Sequence, residues 1–450
     1  MTQRSCAVYG VGIVCAHLLF IGIGLFVAQV FQTVIHNRLK KELTLTEGSR
    51  VFETWKNPPP PIFMQYFFFN VTNPDEFLAG AKPFVSQVGP YTYREYRPKE
   101  NVTFLENGTR VAAYQCKTFV FLPERSVGDP DIDMITTINI PAVAVMNKVK
   151  DSFWKSSLVS IWMNSLHVGM FMTHSVNELL WGFKDPLLSR IHTMNPEIDE
   201  YFGLMYKKNG SNDGEVVYHT GEADSMDYGK IARFKGESKL SLWTSELYIF
   251  SPDLCRSIFM EFEKDVEVKG LPAYRFTPPR DVLASKEENP ANEGFCVSPK
   301  ECLGSGVLKV SVCKKGAPVV VSFPHFYLGE EKYTNAIEGL SPVREHHQTY
   351  LDLNPTTGVP IRASKKAQIN ILINRISGFP KTKSLNETIF PVMFINEVRS
   401  HRLHKNIQLW ENITFNLKKI MFYLSTERKF AMTTVIFDCT VSLYRVLCCK

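Results

Sequence analysis

From Ser5 to Ile35 the chain carries no Asp, Glu, Lys or Arg. That run exceeds the roughly 20 apolar residues an α-helix needs to cross the hydrocarbon core of a bilayer. It predicts an N-terminal transmembrane helix over residues 7–31, preceded by a cytosolic N-terminus at 1–6. A cleaved signal peptide has a shorter apolar stretch, about 7 to 15 residues, ending at a small-x-small site. Val14-Cys15-Ala16 fits that poorly, because apolar residues continue to Phe31. Flanking charge leaves the orientation open, since Arg4 and the amino terminus face Arg38, Lys40 and Lys41.

Two other features place the following segment on the luminal side. Asn-x-Ser/Thr sequons occur at Asn70, Asn101, Asn107, Asn209, Asn386 and Asn412, and six in one chain favour passage through the secretory lumen. Cys255, Cys296, Cys302 and Cys313 cluster in one stretch. In an oxidising compartment an even cluster reads as two disulfides, for which the sequence alone allows three pairings. A zinc site is the weaker reading, because no C-x-x-C pair or nearby His accompanies them.

The formal charge of +6 hints at an anionic partner until it is located. Residues 398–450 hold nine Lys/Arg and three acids, which leaves 42 of each sign in residues 1–397. A neutral body makes a basic nucleic-acid-binding core a poor reading.

Between Asn57 and Glu397 the chain reads mainly as strands. Ala367–Asn374 places Ile369, Ile371 and Ile373 on one face, and Val319–Phe323 and Ile389–Ile395 are rich in β-formers. Pro58–Pro61, Gly128-Asp-Pro130 and Asn209–Gly214 punctuate them as turns. A sheet or barrel fold follows, treated as one luminal domain over 36–397. Ser152–Trp181 differs: Trp154, Leu158, Ile161, Trp162, Ser165 and Leu166 recur at helical spacing. The pattern alone favours a core-facing stripe. The alternative is an exposed binding surface, favoured by apolar residues on several faces (Phe153, Val159, Met163, Met170, Phe171, Met172) and by Lys148, Lys150 and Lys155 beside them.

Enzyme signatures are missing. Leu303-Gly-Ser-Gly306 lacks the G-x-S-x-G order, and Gly229-Lys230 lacks the upstream Gly of a P-loop. His346-His347 and the pair His401 and His404 lack the Glu and third ligand of a zinc motif, so they read as surface histidines. No catalytic residue, metal or cofactor is expected.

Eight segments carry a family resemblance. Phe68–Pro74 (FFNVTNP), Val88–Arg94 (VGPYTYR), Glu178–Asp185 (ELLWGFKD), Asn292–Cys296 (NEGFC), Cys302–Val307 (CLGSGV), Ser322–Phe326 (SFPHF), Asp352–Gly358 (DLNPTTG) and Phe390–Met393 (FPVM) resemble the class B scavenger receptor family, in the family's order. Met172–Leu180 and the Cys302 segment look most like its lysosomal member. The resemblance implies an α+β membrane protein: an antiparallel β-barrel luminal domain with a helical apex near 150–182 and an internal apolar lipid tunnel. It implies a noncatalytic receptor of lysosomes and endosomes, reached through the endoplasmic reticulum. Such a receptor binds or channels cholesterol or phospholipid, and the lysosomal member also carries the hydrolase glucocerebrosidase. The alternative is a cell-surface scavenger receptor that takes lipid from lipoproteins. Expected partners are thus a lysosomal hydrolase, lipids and the membrane, with self-association an open alternative and no nucleic acid. By motif position the helix around Phe153–Phe171 corresponds to the enzyme-binding apex, which makes Phe153, Trp154, Leu158, Ile161, Trp162 and Leu166 the partner-binding candidates. The resemblance also implies the disulfides Cys255–Cys313 and Cys296–Cys302.

The chain departs from the family in three places. Ser152 stands where the lysosomal member has a His, leaving His167 and His174 nearby. Thr244-Ser-Glu246 bridges a Cys-containing segment that the family carries after Trp243. Beyond residue 397 the second transmembrane helix is not recognised: Phe430–Tyr444 is short, and Asp438 in it costs about 2.5 to 3.5 kcal/mol at a bilayer centre.

Overall fold

The Ile62–Val71 strand, Ile-Phe-Met-Gln-Tyr-Phe-Phe-Phe-Asn-Val, shows why this chain builds sheet. β-branched and aromatic residues fit the pleated surface, and side chains alternate between its two faces. Here Ile62, Met64, Tyr66 and Phe68 are buried while Phe63, Gln65 and Phe67 are half-buried. The computed structural model describes residues 44–58, 61–224, 227, 229–234, 247–251, 256–296, 302–314, 316–355 and 360–400, together with His17. The predicted helix over 7–31 apart from His17, the bridged segment after Trp243, Cys255, His401, His404, Asn412 and the tail beyond Ser400 lie outside the described residues. Among the described residues no helix is long and apolar enough to cross a membrane.

The chain divides into two compact units interleaved in sequence. The smaller comprises residues 1–59, 96–119 and 207–242. Its strands Ser211–His219 and Ile231–Phe234 are antiparallel neighbours, and Lys99–Leu105 and Ser211–His219 flank the stretch starting at Arg110. Val111, Ala112, Ala113, Val216 and Val217 are buried there. The helix Arg50–Lys56 is capped by Ser49, whose hydroxyl accepts the Phe52 N–H at 3.1 Å. It packs Phe52 on Phe104 and Trp55 edge-on to Tyr218, with ring centroids 5.6 and 5.5 Å apart. Lys99 Nζ lies 4.6 Å above the Trp55 ring and donates to the Trp55 carbonyl at 2.6 Å.

The larger unit comprises residues 60–95, 120–206 and 243–450. Its sheet runs Val85–Tyr96, Ile62–Val71, Thr388–Ser400, Pro360–Ile373, Tyr350–Leu353, Leu271–Thr277, Arg256–Val268, Leu247–Ser251, each antiparallel to the next. Pro360–Ile373 shares its outer edge end to end between Tyr350–Leu353 and Val319–Ser322. Val319 and Val321 therefore stand beside Ile371 and Ile369 on one face. On the opposite face a polar row is buried: Gln368 Nε2 donates to Asn370 Oδ1 at 2.7 Å, and Asn370 Nδ2 donates to Val320 O and Ser322 Oγ, each at 3.1 Å. Such a row is tolerated in an interior because its members satisfy one another. Asp352, fully buried, accepts from Arg275 Nε at 2.7 Å and from Arg362 Nε at 3.0 Å.

The expected barrel is corrected to an open, mostly antiparallel sheet with short helices. Closure requires the two terminal strands of the order to pair at a matched stagger. Among the described residues the strand order does not close on itself.

Candidate partner-binding apex

The helix Ile140–Val149 precedes the candidate partner-binding helix. Asn139 caps it, accepting the Ala142 N–H on its side-chain oxygen at 3.0 Å, and Pro141 in the first turn supplies no N–H that would need a partner. Phe153–Ser165 follows as a second helix, and its end is marked by His167 at φ 56° and by the Val168 N–H returning to the Met163 carbonyl at 2.8 Å.

One row of this helix, Ser156, Val159 and Met163, faces inward. Ser156 sits against Gly378, where an added Cβ would approach its hydroxyl to 2.7 Å. Gly378 also has φ +85°, a conformation that L side chains rarely adopt, so close approach and backbone both call for glycine. Lys381 of the same loop donates to the Val168 carbonyl at 3.0 Å. The opposite row faces outward. Phe153 is 74% exposed, Trp154 82%, Ile161 63% and Leu158 41%. Leu166 is exposed, and Trp162 is half-buried with the Arg190 guanidinium 5.7 Å from its ring centroid. Phe153 and Trp154 meet edge to face at 5.8 Å. Single exposed apolar side chains are ordinary, but a contiguous row with two aromatics is a candidate interaction surface. The core-stripe reading thus fails for Trp154, Leu158 and Ile161, and the buried residues are instead Val159 and Met163, which the sequence pattern offers as part of an exposed surface. Lys148, Lys150 and Lys155 are all exposed beside the row.

The strand Phe171–Ser175 and the helix Val176–Trp181 support this region. Ser175 and Glu178 form a capping box, with the Ser175 hydroxyl accepting the Glu178 N–H at 3.2 Å and Glu178 Oε2 accepting the Ser175 N–H at 3.1 Å. His174 Nδ1 lies 3.1 Å from the same carboxylate, and its ring stacks on Phe183. Burial raises the Glu178 pKa, but the bonds from Ser175 and His174 outweigh it and hold the carboxyl below its ordinary range.

Of the other predicted residues, Cys296 and Cys302 form a disulfide with Cα atoms 5.3 Å apart. The Cys255–Cys313 pair falls outside the described residues because Cys255 does. Asn101, Asn107, Asn209 and Asn386 are exposed. Asn70 is half-buried, and its side-chain oxygen accepts the Thr136 N–H at 2.8 Å. Ser305 is buried and accepts the Ser285 N–H at 2.9 Å, a structural role. Among the described residues no group of three His, Cys, Asp or Glu is placed to hold a metal.

The surface reading of the paired histidines needs correction. His346 is exposed, but His347 is 6% exposed and stacks on His325. Its neighbours in sequence are polar, and the residues that bury it come from distant strands, so local pattern gives no sign of it. Two further features went unread: the Gly378 loop that seats the apex helix, and the half-buried free thiol of Cys116, 3.2 Å from Glu100 Oε2.

Comparison with known proteins gives a consistent picture. A model of the CD36 family matches residues 13–246 and 242–449. The chain is 41% identical over 414 residues to lysosome membrane protein 2 of Homo sapiens, covering 87% of this chain and 86% of that protein. Identity to the Rattus norvegicus protein of that name is 40%, over 88% of this chain and 86% of its own length. Scavenger receptor class B member 1 of Cricetulus griseus is 33% identical, over 86% of this chain and 79% of its length.

Proposed function

The chain belongs to the CD36 family, which includes the class B scavenger receptors, and on that premise we propose that it is a noncatalytic receptor of lysosomal and endosomal membranes. In this reading it captures a lysosomal hydrolase, of the glucocerebrosidase kind, on the Phe153–Ser165 helix and binds or conducts cholesterol or phospholipid through its interior. The observation that carries the hydrolase reading is the outward row Phe153, Trp154, Leu158 and Ile161. A partner helix laid along it would desolvate two adjacent aromatics, the composition of a binding hot spot. The lysosomal address is supported by the 40–41% identity to proteins named lysosome membrane protein 2.

The test is a triple substitution, Phe153→Ser, Trp154→Ser and Ile161→Ser, with capture of glucocerebrosidase measured by surface plasmon resonance. Each hot-spot truncation is worth about 2 kcal/mol or more, roughly 30-fold in Kd. The triple variant is expected to lose capture by at least that factor while still loading labelled cholesterol. Undiminished capture would sink the apex assignment.

The exposed Lys148, Lys150 and Lys155 and the likeness to scavenger receptor class B member 1 favour a second reading, a cell-surface receptor for lipoproteins. It predicts that surface-expressed protein takes up lipoprotein lipid and that replacing these lysines with Gln abolishes the uptake.

A further inference from the structure

His325 and His347 lie face to face inside the larger unit, 4% and 6% exposed, with ring centroids 4.3 Å apart and planes inclined by 14°. His325 occupies the turn Pro324–Phe326, and His347 ends the short helix Arg344–His347. The Nδ1 atom of each ring accepts a backbone N–H: His325 from Ser341 at 3.0 Å, His347 from Val343 at 2.9 Å. A ring nitrogen that accepts an N–H carries no proton of its own, so both rings are fixed as the neutral Nε2–H tautomer. On His325 that N–H then donates to Gln87 Oε1 at 2.7 Å. Both backbone donors belong to one loop, with only Pro342 between them.

The loop is pinned just before these donors. Glu338 N–H donates to the Pro83 carbonyl and Val85 N–H donates to the Glu338 carbonyl, each at 2.9 Å. Gly339, at φ +89°, lies where any Cβ would collide with the Val85 carbonyl oxygen. The pair is packed by Phe69 of Ile62–Val71, Gln87 of Val85–Tyr96, Phe394 of Thr388–Ser400 and Gln368 of Pro360–Ile373, whose Oε1 accepts the His325 backbone N–H at 2.6 Å. Among the described residues the ionisable groups facing the pair are His346 and Lys366, cations when protonated. Arg344 turns to Glu263, and Glu345 is exposed.

We propose that the stacked pair is an acid-operated latch on the Ser341–His347 loop. A proton taken up at Nδ1 of either ring sets N–H against N–H, breaks the bond to Ser341 or Val343 and releases the loop. Two imidazolium rings at this separation repel each other, so the second protonation completes the opening. Burial, reinforced by His347, holds His325 down to about 3, and burial with His346 and Lys366 holds His347 at about 4. Once open, the rings titrate near the ordinary value of about 6.5. The open form therefore binds more protons than the closed one between those limits. The latch is fully held above about pH 6.5, and each unit of pH below that favours opening up to tenfold per histidine, about 100-fold for two. The dependence levels off as pH falls through the closed-state values. This window covers passage from a neutral to an acidic compartment and does not depend on which partner the apex binds.

Hydrogen exchange on the full chain in lipid nanodiscs tests the latch, with rates corrected for their intrinsic pH dependence. Between about pH 6 and pH 5 the Ser341 and Val343 amides are expected to lose protection by up to about 100-fold, while the core amides of Phe390–Phe394 hold theirs. His347→Gln keeps an acceptor for the Val343 N–H but takes no proton, and its loss should shrink to about tenfold or less over the same interval. Protection independent of pH, or an unchanged slope in His347→Gln, overturns the latch. If that variant does not fold, imidazole ¹³C shifts of the wild type decide. Rings that titrate near about pH 6.5 while the loop stays protected overturn it, whereas protonation that coincides with loss of protection supports it.

Discussion

Trp154 and Met163 share one helix, and their substitution should have opposite consequences. Trp154 is 82% exposed and Met163 2%. Met163→Ala leaves a cavity beneath the helix and is expected to cost about 2 to 5 kcal/mol, seen as a lower thermal midpoint by scanning calorimetry. Trp154→Ala should leave the midpoint within the equivalent of about 0.5 kcal/mol. The spacing of these residues was legible in the sequence, but their facing was not. Trp154–Leu158–Ile161 and Val159–Met163 are both apolar and both helical in period, so the pattern describes two stripes and cannot rank them. The inward row includes Ser156, which sits against Gly378 more than two hundred positions away, a contact that local pattern does not encode. His347 was misread for a related reason, since the rings packed on it include His325 and Phe394, neither of them near it in the chain.

At the scale of elements, the helix Val176–Trp181 is tied to acid through its capping box. Glu178 is held below the ordinary carboxyl range by its bonds to Ser175 and His174, which outweigh the effect of burial. Its contribution is therefore present in full above about pH 4.5 and is lost as pH falls through the depressed folded-state value. Glu178→Gln should lower stability at neutral pH and flatten the fall in acid, and denaturant unfolding at about pH 7 and about pH 4 reads both effects. A variant whose acid sensitivity matched the wild type would rule this carboxyl out. Strand-forming runs such as Ile389–Ile395 and Val319–Phe323 were legible from their β-branched and aromatic residues. Their neighbours were not: Ile62–Val71 pairs with Thr388–Ser400 from the other end of the body. Nothing local encodes that order, nor whether the order closes on itself.

At the scale of the whole molecule, glycosylation tests the topology read from the first thirty-five residues. Asn101, Asn107, Asn209 and Asn386 are exposed in the folded chain. If the body is luminal, each Asn→Gln substitution at these positions should raise electrophoretic mobility by one step, and glycosidase treatment should collapse the series to one band. A chain with unchanged mobility in all four variants would place the body on the other side of the membrane. The interleaving of the two compact units was hidden because composition marks only the Pro58–Pro61 crossing, whereas the crossings after Glu95 and Phe119 fall inside continuous strands. The apex carries a consequence of a different kind. Its outward row and its inward row share a helix but not a set of contacts, and substitutions without shared contacts combine nearly additively. Substitutions on the outward row therefore carry little folding penalty, which leaves the composition of that surface free to diverge while the scaffold beneath it stays fixed.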